Sequence, residues 1–238
     1  MALVFLIGLV SGYLGGLLGK GGSAVGTPLL QLAGVPAFFA VASPLPAAIP
    51  GTLISSLAYL RKGLYDRTVV GWSILAGVPL TILGAWMSQF VGGTGLLAVS
   101  DLIIAGLGVS FLLKPTAQET RPPVEGSAKV RRAALVGGAV GFASGLLANA
   151  GGFLLAPLFA RALRLDLKTA FACSLVSAAA LAVPGTVVHV MLGHVDWKVV
   201  LIFGLGSVPF AYLGAATAVR MKLRLLEPIF GTALLVIG

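Results

Sequence analysis

A chain of 238 residues in which 58% are hydrophobic and only 10% charged excludes a soluble globular domain, where about 25% of residues are charged. The net charge of +9 would suggest a nucleic-acid partner in a soluble protein, but in so apolar a chain the Lys and Arg that membrane proteins keep on their cytoplasmic side account for it. A single cysteine, Cys173, excludes an internal disulfide and a cysteine-based metal cluster, and no cofactor is expected.

In chain order, hydropathy punctuated by Gly, Pro and charge predicts apolar segments at 1–33, 36–60, 68–91, 95–113, 132–163, 169–192, 197–219 and 223–238. Each can supply most of the roughly 20 residues that a membrane-crossing helix needs. Met1 to Val10 lack a basic start and a small-residue cleavage site, so they read as part of the mature protein. The last segment is short for a crossing, which leaves room for the native chain to continue past Gly238. The 33 glycines and 13 prolines point to broken helices, which a protein-lined bundle tolerates because neighbours re-satisfy the freed backbone groups. The fold class expected is all-α, a polytopic membrane protein forming one transporter domain over 1–238.

The polar linker Lys114 to Arg132 divides the chain into halves, one over 1–114 and one over 132–238, with 115–131 between them on the cytoplasmic side. The halves repeat. Gly12, Gly16, Leu17, Leu18, Gly22, Pro28 and Leu29 recur in register as Gly141, Gly145, Leu146, Leu147, Gly151, Pro157 and Leu158. Pro50-Gly51-Thr52 recurs as Pro184-Gly185-Thr186, Asp66 with Val69-Val70 as Asp196 with Val199-Val200, and Val78-Pro79 as Val208-Pro209. Segments 1–33 and 132–163 are too long for one straight helix, and each is interrupted, by Gly19-Lys20-Gly21-Gly22-Ser23 and by Asn149-Ala150-Gly151-Gly152. If each is a re-entrant hairpin, every basic residue except Lys198 and Lys20 falls on one side, as the positive-inside rule requires. Each half is then a broken hairpin followed by three transmembrane helices, and the two repeats are inverted in topology.

The strongest local signal is Lys20 among glycines within an apolar segment. A lysine at a helix centre costs at least about 2.5–3.5 kcal/mol, so an intramembrane lysine is a functional candidate. Bared N–H groups at Gly21, Gly22 and Ser23 and the positive end of the following half-helix also attract an anion. The plainer fates of Lys20 are snorkelling to an interface or pairing with Asp101. In the second break Asn149, Gly151 and Gly152 keep the small residues and replace the charge by an amide. In inverted repeats the two tips are expected to meet near the midplane around one substrate. Pro50 and Pro184 are expected to kink their helices, with Thr52, Thr186 and Ser43 adding hydroxyls to the site. His189 and Asp101 are candidates for proton coupling. Gly8, Gly12 and Gly16, and Gly137, Gly141 and Gly145, make smooth faces for close helix packing. The run Gly15 to Gly21 is not a phosphate-binding loop, because its spacing is wrong and Gly follows the Lys. Nucleophile, base and orienting acid do not converge, so no enzyme is expected.

The Gly-rich break followed by an apolar run and Pro, at Gly16 to Pro28 and again at Gly145 to Pro157, together with the duplicated layout, resembles the TauE/SafE family of sulfite and organosulfonate exporters, also grouped as TSUP transporters. The resemblance covers essentially the whole chain through short motifs. It implies a multi-pass bacterial inner-membrane protein that moves small sulfur-containing anions. Its partners are then the anion and the lipid bilayer, with a homodimer left open. Lys20 in the first tip and Asn149-Ala150 in the second depart from the more usual Gly-rich pattern. The expected function is a secondary transporter, an exporter of sulfite or sulfonates. An anion channel or an importer of another small anion are the alternatives, with a membrane enzyme or receptor subunit behind them.

Overall fold

The computed structural model describes residues 1–19, 23–90, 109, 122–148, 152–222, 224–226, 228–230 and 232. Among these residues every regular element is a helix. In chain order they are α1 (Ala2–Leu17), α2 (Ser23–Leu32), α3 (Ala37–Ala42), α4 (Pro44–Leu60), α5 (Arg67–Met87), α6 (Gly126–Leu146), α7 (Gly152–Ala162), α8 (Leu167–Met191) and α9 (Trp197–Arg220). Ala37–Leu60, Arg67–Phe90, Leu167–Met191 and Trp197–Arg220 are each long and apolar enough to cross a membrane. The fold class is the expected all-α polytopic one. The predicted crossing at 95–113 lies outside the described residues except for 109, and that at 223–238 is described only in part.

Three aspartates set where helices begin. Asp66, Asp166 and Asp196 precede α5, α8 and α9, and one carboxylate oxygen of each accepts two N–H groups of the first turn. Such a cap contributes about 1 kcal/mol.

Large apolar side chains cover the outside, among them Leu75 and Trp86 of α5 and Leu201 and Leu205 of α9. Lipid tails are as apolar as these side chains, so helix association must come from close packing and not from escape from water. The glycine faces provide it. Gly8, Gly12 and Gly16 of α1 lie against the backbone of Phe203, Ser207 and Ala211 of α9. Gly137, Gly141 and Gly145 of α6 lie against Ser73, Gly77 and Thr81 of α5. A Cβ on Gly12 would fall 2.6 Å from the Ser207 Cα, and one on Gly141 2.7 Å from the Gly77 Cα. In both pairs the contacting residues advance together, so α1 runs in the same direction as α9, and α6 in the same direction as α5. The central pair α4 and α8 runs oppositely: Leu45 packs at Gly185, while Tyr59 meets Phe171 edge-on with ring centroids 6.5 Å apart.

In both broken segments the second helix doubles back along the first. Leu30 of α2 packs with Val4 and Ile7 near the start of α1. Arg132 Nη1, in the second turn of α6, donates to the Ala162 carbonyl at the end of α7 (2.8 Å), and Val124 N–H donates to the Leu163 carbonyl (3.2 Å). The Lys129–Asp66 ion pair, Lys168 Nζ on the Val219 carbonyl (2.7 Å) and Arg61 Nη1 on the Tyr212 hydroxyl (3.3 Å) gather basic residues at one end of the bundle.

Two boundaries differ from expectation. Helix α6 starts at Gly126, inside the linker expected over 115–131, because Lys129 and Arg132 find partners on neighbouring elements that hold this polar stretch helical. Helices α4 and α8 continue through Pro50 and Pro184. The second segment also has a break in its helical ladder at Ser43, between α3 and α4 and just before Pro44.

Close approach makes a direct prediction. Gly12→Ala and Gly141→Ala each lower unfolding stability in detergent by about 1–3 kcal/mol or more through overpacking. Gly71→Ala, where a Cβ would meet nothing within 4 Å, leaves it unchanged within about 0.5 kcal/mol.

Candidate functional site

The two breaks begin alike. Beyond α1 the chain turns at Gly19 with φ +64°, and beyond α6 it turns at Ala148, the residue in register with Gly19, with φ +49°. Glycine takes this left-handed conformation freely at a helix end. At Gly19 there is also no room for a side chain, since a Cβ would fall 2.5 Å from the Phe171 ring. Ala148 holds the same turn against its own Cβ, at a cost of about 1–2 kcal/mol. A left-handed alanine in the middle of a membrane protein is a feature that functional segments retain. Lys20, Gly21 and Gly22, and Asn149 and Gly151, lie outside the described residues. Ser23, with its side chain buried, opens α2, and the backbone of Gly152 opens α7. The first N–H groups of each helix have no partner within that helix.

Carbonyls at the ends of α1 and α6 receive side-chain partners from α4 and α8. Ser174 Oγ donates to the Gly19 carbonyl (2.6 Å), and the Tyr59 hydroxyl reaches the Gly16 carbonyl at 3.5 Å. In the second half, His189 Nε2 lies 3.0 Å from the carbonyl of Gly145, the repeat mate of Gly16. These contacts fix the depth of each break. Ser174 and His189 are fifteen residues apart on one continuous helix, about 22 Å at 1.5 Å per residue. The described residues before each break, Gly19 and Gly145, are therefore held toward opposite ends of α8; the tips themselves, residues 20–22 and 149–151, lie outside the described residues.

Between these levels α4 and α8 carry the expected hydroxyls. Thr52 Oγ1 donates to the Ala48 carbonyl (2.6 Å), which leaves its lone pairs available. The buried hydroxyls of Ser55, Ser177 and Thr186 have no hydrogen-bond partner among the described residues. Leaving such a group unpaired costs about 1–3 kcal/mol. Ser43 does not join them: its hydroxyl accepts the Asp196 N–H (3.0 Å) and ties the α8–α9 loop to the start of α4. Asp101 lies outside the described residues. At the basic end, an open cavity of about 690 Å³ is lined by Leu60, Gly63, Tyr65, Arg67 and Val176, and Ser174 is two residues from its wall.

At the other end His189, 2% exposed, places Nδ1 3.2 Å from Nδ1 of His194 in the α8–α9 loop. The His194 ring stacks on Phe38, with centroids 4.9 Å apart. Partial burial lowers the pKa of His194 from its ordinary value. The contact between the two histidines and the Tyr59 counterpart became visible only with the fold.

The family described as "Sulfite exporter TauE/SafE" matches residues 4–238. A "Probable membrane transporter protein" of Xylella fastidiosa (strain 9a5c) is 30% identical over 97% of this chain and 90% of its own length. "Probable membrane transporter protein YunE" of Bacillus subtilis is 25% identical over 99% and 95%, and "Probable membrane transporter protein YfcA" of Escherichia coli K12 is 22% identical over 96% and 84%. No solved structure matches the chain.

The stacked loop histidine makes a pH prediction. With the folded pKa of His194 below the ordinary 6.5, the unfolded chain binds more protons as pH falls past that value. Its contribution to stability is therefore full above about pH 6.5 and lost below it. Melting curves in detergent should show this acid-side decline weakened in His194→Phe, which keeps the stack and removes the titration.

Proposed function

This chain belongs to the sulfite exporter TauE/SafE family, and on that premise we propose that it exports small sulfur-containing anions, sulfite or sulfonates, across the bacterial inner membrane. It is a membrane transporter and not an enzyme. The single observation that carries the mechanism is the pair of equivalent helix breaks, each followed by the start of a short helix, α2 or α7. Helix starts attract anions through unpaired N–H groups and the helix dipole.

The opposed course of α4 and α8 supports two inverted repeats. So does the pairing of α1 with α9 and of α6 with α5, since every matched pair of elements then points in opposite directions. Each break then serves the side nearer to it. In this reading Lys20, Gly21, Gly22 and Ser23 are one anion station, Asn149, Gly151 and Gly152 are the other, and the hydroxyls of Thr52, Ser55, Ser177 and Thr186 serve the path between them. A small anion held at one station passes the hydroxyl waist as the repeats rock against each other. His189 and Asp101 are the groups proposed for proton coupling, and both chain halves belong to one transporter domain.

The test is counterflow in proteoliposomes. Vesicles preloaded with unlabelled sulfite should transiently accumulate radiolabelled sulfite against its gradient, which a carrier does and a channel does not. Equal rates with and without preloading would sink the carrier reading. In the same vesicles and by calorimetry, Lys20→Met should weaken sulfite affinity about tenfold or more while the protein stays folded, because it leaves the ligand charge without its partner. Lys20→Arg should fall between, since a planar guanidinium keeps the charge and changes the fit.

A further inference from the structure

The α4–α5 and α8–α9 loops share a backbone course and differ in chemistry. Each turns at a glycine, Gly63 with φ +70° and Gly193 with φ +71°, and each ends on an aspartate, Asp66 or Asp196, whose carboxylate caps the next helix. In register, Arg61, Lys62, Tyr65 and Arg67 stand where the second half has Met191, Leu192, Val195 and Trp197. Keeping basic residues on one side accounts for the difference in charge and does not account for a cavity. At the α4–α5 loop Leu60, Gly63, Tyr65, Arg67 and, from α8, Val176 line an open space of about 690 Å³.

Backbone contacts fix its walls. Gly63 N–H donates to the Leu60 carbonyl (3.0 Å) and Tyr65 N–H to the Gly63 carbonyl (3.0 Å). Asp66 N–H reaches Cys173 Sγ at 3.4 Å, which holds the loop against the helix that carries Val176. The neighbouring carboxylate is fully engaged: one oxygen of Asp66 accepts the N–H groups of Thr68 and Val69 (3.1 Å each), and the other pairs with Lys129. Among the described residues the Arg67 side chain has no ion-pair or hydrogen-bond partner, and neither has the Tyr65 hydroxyl. Arg67 is therefore the unopposed charge on the cavity wall.

The space has room for about twenty waters at roughly 30 Å³ each, so an anion inside keeps most of its hydration and is held weakly. Charge of one sign in a cleft with low-dielectric walls raises the local concentration of counter-ions and their rate of arrival. We propose that this cavity is an anion vestibule. Arg67 draws a small oxyanion, a sulfonate or sulfite, in from the water at the basic end, and Tyr65 donates a hydrogen bond to it. Leu60 and Val176 offer an apolar wall to a sulfonate's carbon chain. Val176 is two residues from Ser174, which holds the Gly19 carbonyl, so the vestibule adjoins the first break. It rests on the carrier reading for its purpose and not for its attraction of anions.

That attraction can be measured without transport, on the purified protein in detergent. With Cys173→Ala and Leu60→Cys, the rates of reaction with anionic sulfonatoethyl and cationic trimethylammonioethyl methanethiosulfonate give a ratio that reads the potential in the cavity. Arg67→Gln should lower the anionic-to-cationic ratio about tenfold at low ionic strength, and Arg67→Lys should largely keep it. The difference should vanish in about 1 M salt, where charges are screened over about 3 Å. Val190→Cys, at the position in register with Leu60, should be indifferent to Arg67. If Leu60→Cys does not fold, Val176→Cys carries the same measurement. A ratio indifferent to Arg67 at low salt, or no reaction at either cysteine, would overturn the vestibule. Occupancy is read with uncharged methyl methanethiosulfonate, which methanesulfonate should slow in the wild-type background and not in Arg67→Gln. Slowing by phosphatidylglycerol nanodiscs and not by methanesulfonate would assign the cavity to a lipid headgroup and overturn the vestibule. A ratio that follows Arg67 in a protein without sulfite counterflow counts against the sulfite carrier and leaves the vestibule standing, and counterflow with an indifferent ratio does the reverse.

Discussion

The contact on which the rest of this structure depends is backbone against backbone, where α1 lies on α9 and α6 lies on α5 without side chains between them. In lipid the usual driving force for helix association is missing, and close approach through glycine supplies dispersion contacts in its place. Each clasp joins an element of one sequence half to an element of the other. Neither half completes a bundle alone, and the central crossing of α4 with α8 is held from both sides. On the scaffold clasped in this way, α2 and α7 return from their breaks and pack against their neighbours, Leu30 in the cluster with Val4 and Ile7, and Leu155 and Phe159 in the main core.

The chemistry follows from where those turns stop. Gly19 and Gly145, the described residues before the breaks, are held toward opposite ends of α8, and among the described residues the polar side chains between them on α4 and α8 are hydroxyls. Charge is concentrated at the ends: the basic clusters and cavity at one, the two histidines at the other.

Much of the fold was legible because its determinants are local. The breaks at Gly19 and Ala148 follow from small residues interrupting apolar runs, and the starts of α5, α8 and α9 from a capping aspartate ahead of a hydrophobic stretch. The break at Ser43 had a local signal, since Pro44 has no N–H to continue the hydrogen-bond ladder, although Ser43 itself keeps helical angles. The early start of α6 was not legible. Its stability comes from Asp66 and the Ala162 carbonyl, remote in sequence. The depth at which the chain breaks along α8 was not legible. Which hydroxyls remain unpaired, and that His189 caps the carbonyl of Gly145, depends on how α4 and α8 pass each other.

The claim from which all of this follows is that the two halves face opposite ways, with the basic clusters on one side. The most direct measurement is accessibility of single cysteines introduced at Tyr65, Arg164, Lys222 and Gly193, in a Cys173→Ala background, to a membrane-impermeant maleimide in vesicles of known orientation. The account predicts that the first three react from one face only and the cysteine at Gly193 from the other only. Labelling of the cysteine at Arg164 or Lys222 from the same face as that at Gly193 would contradict it.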